Sequence, residues 1–324
     1  MQLRLKSGAL ALLAALMPFA AGAQQPWPTR PVRIIVPLAA GSITDVVLRA
    51  AAQEIQPRLG QTIVIDNKPG ASAIIGTDAC AKAAPDGYTL CAVYFGSMSL
   101  NPHTTPKLPY DPEKDFAPIA KLFQVTEGLF VPSTLPVSTV AELRAYATKN
   151  PTAVNFGTLG EGSLQEMMLA WLNHEWKTAI VGVAYKGGGP IATALGAGEI
   201  QLGQMGIGNF AAMMQAGKVK PLAVSAEKRT PLLPQVPTLK EAGLGGFSAR
   251  VWWGLAAPAG MPNAVVQRVN AEFTRLLQDP KFLAYLEERY IEATPSTPQQ
   301  FAAFLKTDRE EAGALVKLAQ QPSR

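Results

Sequence analysis

Histidine and cysteine are nearly missing from this sequence, with two of each in 324 residues. So few cysteines exclude a disulfide-dense scaffold and a zinc ribbon. His103 and His174 alone cannot build a histidine-rich metal site, and they make a histidine-driven active site a poor fit. Charge is also scarce, at 16% against 48% hydrophobic residues, which excludes a disordered chain. The net charge is +5, two of the excess bases fall within the first 23 residues, and no Lys/Arg run occurs. A nucleic-acid surface is therefore not expected. After the N-terminus, no stretch of 18 residues is continuously apolar. At roughly 150 residues per domain, the length predicts about two domains.

The N-terminus reads as an address. Arg4 and Lys6 precede an apolar run from Gly8 to Ala21, and Ala21-Gly22-Ala23 is a small-x-small cleavage pattern. This predicts a signal peptide over residues 1–23, removed on export to the periplasm. The run is shorter than the ~20 residues a membrane span needs. Export changes the reading of Cys80 and Cys91, eleven positions apart, one in a predicted helix and one in the strand after it. In an oxidising compartment they can pair. The other reading is two separate buried thiols, and either role is structural.

Residues 32–38 (VRIIVPL), 62–67 (TIVIDN) and 89–95 (TLCAVYF) read as strands. Helical spacing falls between them, over 43–57 and 75–84. That alternation predicts a parallel sheet with covering helices. The pattern recurs as strands at 153–158, 180–185, 201–205 and 220–226, with helices at 164–176, 190–197 and 209–216. Two α/β units result. Residues 250–257 (RVWWGLAA) read as extended, and 263–277, 280–289 and 298–319 as helices that pack on the first unit. The chain then crosses between units twice, near 120–128 and 245–252, making a hinge. The expected bodies are residues 24–124 with 248–324, and residues 125–247.

In each unit the first strand ends in small residues before a helix starts. These are Ala39-Ala40-Gly41-Ser42-Ile43-Thr44-Asp45, and Gly157-Thr158-Leu159-Gly160-Glu161-Gly162-Ser163. Ligands of open α/β sheets sit beyond the carboxyl ends of the strands. A helix start offers unpaired N–H groups to an anion. Capping by Ser42 or Thr44 and by Ser163 explains one such loop. Two in matching positions point to binding of a carboxylate across a cleft. Neither loop fits a nucleotide motif, and GEGSL lacks the last glycine of a G-x-S-x-G elbow. His174 sits near the far end of its predicted helix, where a solvent-facing role fits better than that of a base, and the carboxylates of Asp111, Glu113 and Asp115 read as solvated. Lys186 is the nearest base to the loops. No cofactor and no metal are expected.

Several longer runs carry a resemblance. PTRPVRIIVPLAAGSITDVVLRAAAQEIQPRLGQTIVIDNKPGASAIIG is followed by AKAAPDGYTL, LPYDPEKDFAPIA, NFGTLGEGSLQ, AYKGGGPIATALGAGEIQL, AGKVKPLAVSAEKRTPLLPQVPTLKEAG and WWGLAAPAGMP. In this order they resemble the Bug family, the extracytoplasmic solute-binding proteins of tripartite tricarboxylate transporters. The resemblance runs from about Trp27 to the last helix. APDGYTL and LPYDP…DFAP are its most specific parts.

The resemblance implies an α/β, periplasmic binding protein-like (type II) Venus flytrap, acting as a monomer that delivers a small carboxylate to membrane transporter subunits. It implies that backbone amides and water hold the ligand. The family's contact loops map onto Ala40, Gly41, Ser42, Thr44 and Asp45, then Ser72 and Ala73, Ser97, Thr158, Gly162, Ser163 and Gln165, Tyr185, and Asn209. The chain departs from the family at Ser42 and Ile43, where glycines are usual, and at Ser72 and Ala73, where Gly-Gly is usual. Glu166 stands where a histidine is common, and Gln201 where an acidic residue is common. These side chains put the pocket's size and its ligand in question. Two other readings use the same scaffold: a ligand sensor docking on a periplasmic signalling domain, and an exported enzyme.

Overall fold

A computed structural model describes residues 27–319 except 161, 186, 227 and 248–250. The expected signal peptide and Lys186 lie outside the described residues.

Eleven strands make two sheets among the described residues. The first sheet holds β1 (Val32–Val36), β2 (Ile63–Asn67), β3 (Thr89–Tyr94), β4 (Phe116–Val125), β10 (Val251–Pro258) and β11 (Ile291–Ala293), in the order β11-β4-β10-β3-β1-β2. The second holds β5 (Glu127–Pro132), β6 (Asn155–Thr158), β7 (Val181–Ala184), β8 (Leu202–Gly206) and β9 (Val219–Ser225), in the order β7-β6-β8-β5-β9. Helices α1 (Ile43–Leu59) and α2 (Ile74–Ala81) link β1, β2 and β3, and the short α3 (Asn101–Thr104) follows a π-helical turn over Gly96–Leu100. In the second half come α4 (Val140–Lys149), α5 (Leu164–Trp176), α6 (Gly188–Ala197) and α7 (Ala211–Gln215). The chain closes with α8 (Asn263–Leu276), α9 (Pro280–Glu287) and α10 (Pro298–Ala319).

Both sheets are mixed, which corrects the expectation of parallel sheets. β1 runs parallel to β2 and β3, but β10 is antiparallel to β3 and β4. In the second sheet β6 is parallel to β7 and β8, while β5 is antiparallel to β8 and β9. The cause is connectivity. β4 ends at Val125 and β5 starts at Glu127, so the chain passes between sheets through Thr126 with no crossover helix. A parallel neighbour needs such a crossover, and an antiparallel one does not. The return falls after β9 of the second sheet and before β10 of the first.

Alternation along the strands feeds two cores. Ile35, Cys91, Val93 and Trp252 enter one, and Ile34, Leu90, Ala92 and Trp253 the other. This is the period-two rule of a sheet covered on both faces. α8 closes the second core with Val265, Val266, Val269 and Phe273. α10 closes the first with Phe301, Leu305 and Leu315, and that core continues into Met168, Trp171 and Leu172 of α5. α10 thus packs on the first sheet and also against α5 of the second. Cys80 and Cys91 form a disulfide from α2 to β3, which settles the open choice in favour of pairing. His174 is exposed beside Glu175, while His103 meets the Arg309 carbonyl at 2.8 Å. Among the described residues no helix is long and apolar enough to cross a membrane.

Candidate functional site

The first strand-end loop is tied down by its own side chains. Ser42 caps α1, its Oγ accepting the Asp45 N–H. The Asp45 carboxylate accepts the Gly41 N–H at 2.9 Å and Arg49 Nε at 2.9 Å. Arg49 also donates to Asn67, whose amide donates to the Leu38 carbonyl. Burial alone pushes the Asp45 carboxyl up, but hydrogen bonds from Arg49, Gly41 and Asn67 outweigh it and hold the group below the usual range. Thr44 and Asp45 are buried, and Thr44 Oγ1 has no hydrogen-bond partner among the described residues. Ala40 and Gly41 form an exposed turn.

A second loop on this wall is backbone-strained. Ala71, Ser72 and Ala73 take φ of 46°, 53° and 71°, three left-handed residues in a row without a glycine. Such residues cost roughly 1–2 kcal/mol each. The turn is held from behind, since Asn101 Nδ2 donates to the Ser72 carbonyl at 3.0 Å. The same amide lies 3.5 Å from the Tyr110 hydroxyl, which donates to the Ser97 carbonyl at 2.6 Å. Burial pushes the Tyr110 phenol up to about 12, so it stays a donor. Ser97 is itself fully buried, its hydroxyl bonded to Tyr94 backbone. Ala73 is buried at the start of α2.

The second unit's loop is freer. Thr158 is buried at the end of β6, its Oγ1 accepting the Gly160 N–H, and its carbonyl accepts the Tyr185 N–H. Ser163 caps α5 through the Glu166 N–H. Gln165 is buried and donates to the Gln204 carbonyl. Asn209 bonds the Gly206 carbonyl, so close to Gly188 that a Cβ there would meet Asn209 Oδ1 at 2.5 Å.

Between these walls lies a cavity of about 1320 Å³. Of the residues expected from sequence, it brings together Ser72, Gly162, Ser163, Gln165 and Asn209. Ala40, Gly41, Ser42, Thr44, Asp45, Ala73, Ser97, Thr158 and Tyr185 are not among the described lining residues, and Ile43 represents the first loop there. The lining adds residues the loop pattern did not single out, including Asn101, Tyr94, Trp253, Glu127, Glu166 and Arg289. Arg289 is a cation on the wall, but its guanidinium is engaged: Nη1 donates to the Tyr285 carbonyl, pairs with Glu288, and the group stacks on the Tyr285 ring. Trp253 stacks between Tyr94 and Phe123. Glu127 opens β5, a strand buried along its whole length. Gln204 Nε2 donates to Glu127 Oε2 at 2.8 Å, yet burial prevails and pushes the carboxyl up to about 7. A charge opening an otherwise apolar strand, EGLFV, was the sequence signal for this residue.

Two mixed α/β sheets, joined by two passes of chain and facing one cavity, define the periplasmic-binding-protein class. The comparisons agree. Residues 47–320 match the family described as Tripartite tricarboxylate transporter family receptor. A Bordetella bronchiseptica relative of the UPF0065 group is 33% identical over 95% of this chain and 90% of its own. The structure of periplasmic binding protein BugD is 32% identical, with a TM-score of 0.76 over 90% of this chain and 98% of its own. A structure from R. palustris with adipate is 31% identical, with a TM-score of 0.80 over 90% and 98%. MatC from Rhodopseudomonas palustris with bound malate is 32% identical, with a TM-score of 0.75 over 89% and 99%. The chain belongs to the tripartite tricarboxylate transporter receptor family, whose Bug members are periplasmic solute-binding proteins.

Proposed function

We propose that this chain is exported by cleavage after Ala23, captures a small carboxylate in the cavity between its sheets, and hands it to the membrane subunits of a tripartite transporter. It acts as a receptor and not as an enzyme. One observation carries the reading: the α5 N-terminus, with Gly162, Ser163 and Gln165, lines the same cavity as Ser72 of the first unit. Helix-start N–H groups and the partial positive charge behind them favour an anion. The two bodies, residues 24–124 with 248–324 and residues 125–247, close on the ligand about Thr126 and the return segment. The adipate and malate of its structural relatives make aliphatic dicarboxylates the first ligands to test.

A thermal-shift screen of mono-, di- and tricarboxylates tests this. A ligand at about 100 times its Kd adds about 2.7 kcal/mol of stability. At least one dicarboxylate should raise the melting temperature and shrink the radius of gyration in X-ray scattering. No shift with any carboxylate, aliphatic or aromatic, would overturn the reading.

A further inference from the structure

Most polar groups on the cavity wall are satisfied within the protein, but one corner is short of donors. Glu127 is 5% exposed and lines the cavity. Its Oε2 accepts from Gln204, and its Oε1 has no partner among the described residues. Gln204 is 1% exposed, and its own Oε1 is buried without a partner. An acceptor on Glu127 and a buried one on the adjacent Gln204 are thus left without donors among the described residues. Leaving such groups unmade is costly, and each calls for an explanation.

Among the described residues the surroundings offer no free cation, and an unpaired donor on the wall is the indole N–H of Trp253. The Glu127 N–H is spent on Ser225 of β9. On β8 the neighbour is uncharged Gln204, and on α5 Gln165 is turned to the Gln204 carbonyl. Glu166 of α5 also lines the cavity, but it is an acid. Arg289 is held by Tyr285 and Glu288. From the first sheet come Tyr94 and Trp253, of which the Tyr94 phenol is kept neutral by burial. A buried carboxyl without a cation is normally excluded from protein interiors unless it serves a purpose.

We propose that Glu127, with Gln204 beside it, is a specificity subsite for a hydrogen-bond donor on the ligand, a hydroxyl or an ammonium next to its carboxylate. This rests on the carboxylate-receptor reading above. The α5 N-terminus takes the carboxylate, and the Glu127 corner takes the donor. Ligands with a 2-hydroxy or 2-amino group are then preferred over the bare dicarboxylate of the same length. An ammonium draws Glu127 into its charged form and expels a proton near neutral pH. A hydroxyl can be met by the carboxyl in either form and expels little.

The test is calorimetry on the mature chain with two ligand series: succinate, malate and aspartate; and adipate, 2-hydroxyadipate and 2-aminoadipate. In at least one series a substituted member should bind about tenfold or more tighter than the bare diacid, the effect of one hydrogen bond to a charged or buried acceptor. Glu127→Gln should erase the preference for the amino ligand over the bare diacid of the same series. Repeating the titrations in buffers of different ionisation enthalpy counts protons without a variant. Release with the amino ligand and little with the hydroxy ligand is expected. Equal affinities within both series, or a preference untouched by Glu127→Gln with no proton released, would overturn the subsite while the receptor reading stands. If no member of either series binds and other carboxylates do, the subsite falls alone. If no carboxylate binds at all, both fall.

Discussion

The two walls of the cavity are built from similar sequence and end up in different chemical states. On the first wall the helix start already holds an anion: the Asp45 carboxylate sits in the first turn of α1, bonded to Gly41 and Arg49. The Ser72 turn is likewise braced, by Asn101, with Tyr110 and Ser97 behind it. On the second wall, residues 162–166 and Glu127 line the cavity, and Gln204 Oε1 is buried without a partner among the described residues. The first wall's loops are the more heavily braced, although Thr44 Oγ1 and Trp253 Nε1 lack partners among the described residues, and the second wall brings its helix start and an acid to the cavity. Substitutions on the first should cost stability with little change in affinity. Substitutions on the second should do the reverse.

The largest expected effect is on the scaffold. The Cys80–Cys91 bridge closes a short loop with a sequence separation of 11 behind the Ser72 turn. Replacing both by Ala should cost about 3 kcal/mol in denaturant melts and leave ligand affinity within a few-fold. A folded double mutant that loses binding would break the division between walls.

Next comes pH. Glu127 is raised from its ordinary 4.5 to about 7. The folded state therefore keeps this proton longer than the unfolded chain does. The stability linked to this group is full below the ordinary value and is lost as pH rises through about 7. Relative to wild type, Glu127→Gln should gain on the order of 3 kcal/mol between pH 4 and 8. Parallel melts across that range check it, and a constant difference would show that Glu127 is not desolvated.

Asp45 has the opposite sign. Its carboxyl lies below the usual range, so its contribution is present above the ordinary carboxylate value and fades as pH falls through the lower folded one. Asp45→Ala should cost about 2 kcal/mol at neutral pH, the size of hydrogen bonds to a charged group. That difference should shrink in acid. A loss that does not vary with pH would mean that packing, not charge, holds the first loop.

The smallest effects sharpen the second wall. Ser163→Ala and Gln165→Ala should each weaken ligand binding by about 0.5–1.5 kcal/mol, as for one neutral hydrogen bond. Calorimetry of both against Ser42→Ala, expected to bind like the parent, compares the walls directly. If Ser42→Ala weakens binding more than Ser163→Ala does, the assignment of scaffold and site is inverted.

The alternation of apolar strands and amphipathic helices made the α/β units legible, because residues such as Ile34, Ile35 and Leu90 report local periodicity. The mixed direction of the sheets was not legible, since nothing local in VWWGLAAP says which neighbours it joins. The site was legible where a glycine-rich loop meets a helix start, at Gly162, Ser163 and Gln165. The same signal gave Thr44 and Asp45, which folding turns inward to a network with Arg49 and Asn67. Asn101 and Glu127 carry no loop signature. One reaches the site from a short helix after a π-helical turn and the other from the first residue of a crossing strand. Tertiary pairing brings both to the site, and the one local hint is the charge that opens EGLFV at Glu127.

The 22-residue α10 rests on both halves of the molecule. A body pivoting about Thr126 alone would swing freely. In the closure proposed above, this one must carry α5 along α10. Helix surfaces interlock ridge into groove, so they slip past each other in shifts of roughly 1–2 Å and do not roll apart. The mouth of the cavity is thus geared to a sliding contact. On that proposal a solute is admitted or retained by the travel of one helix along another, at a contact to which Leu315 and Val316 of α10 and Met168 and Leu172 of α5 contribute.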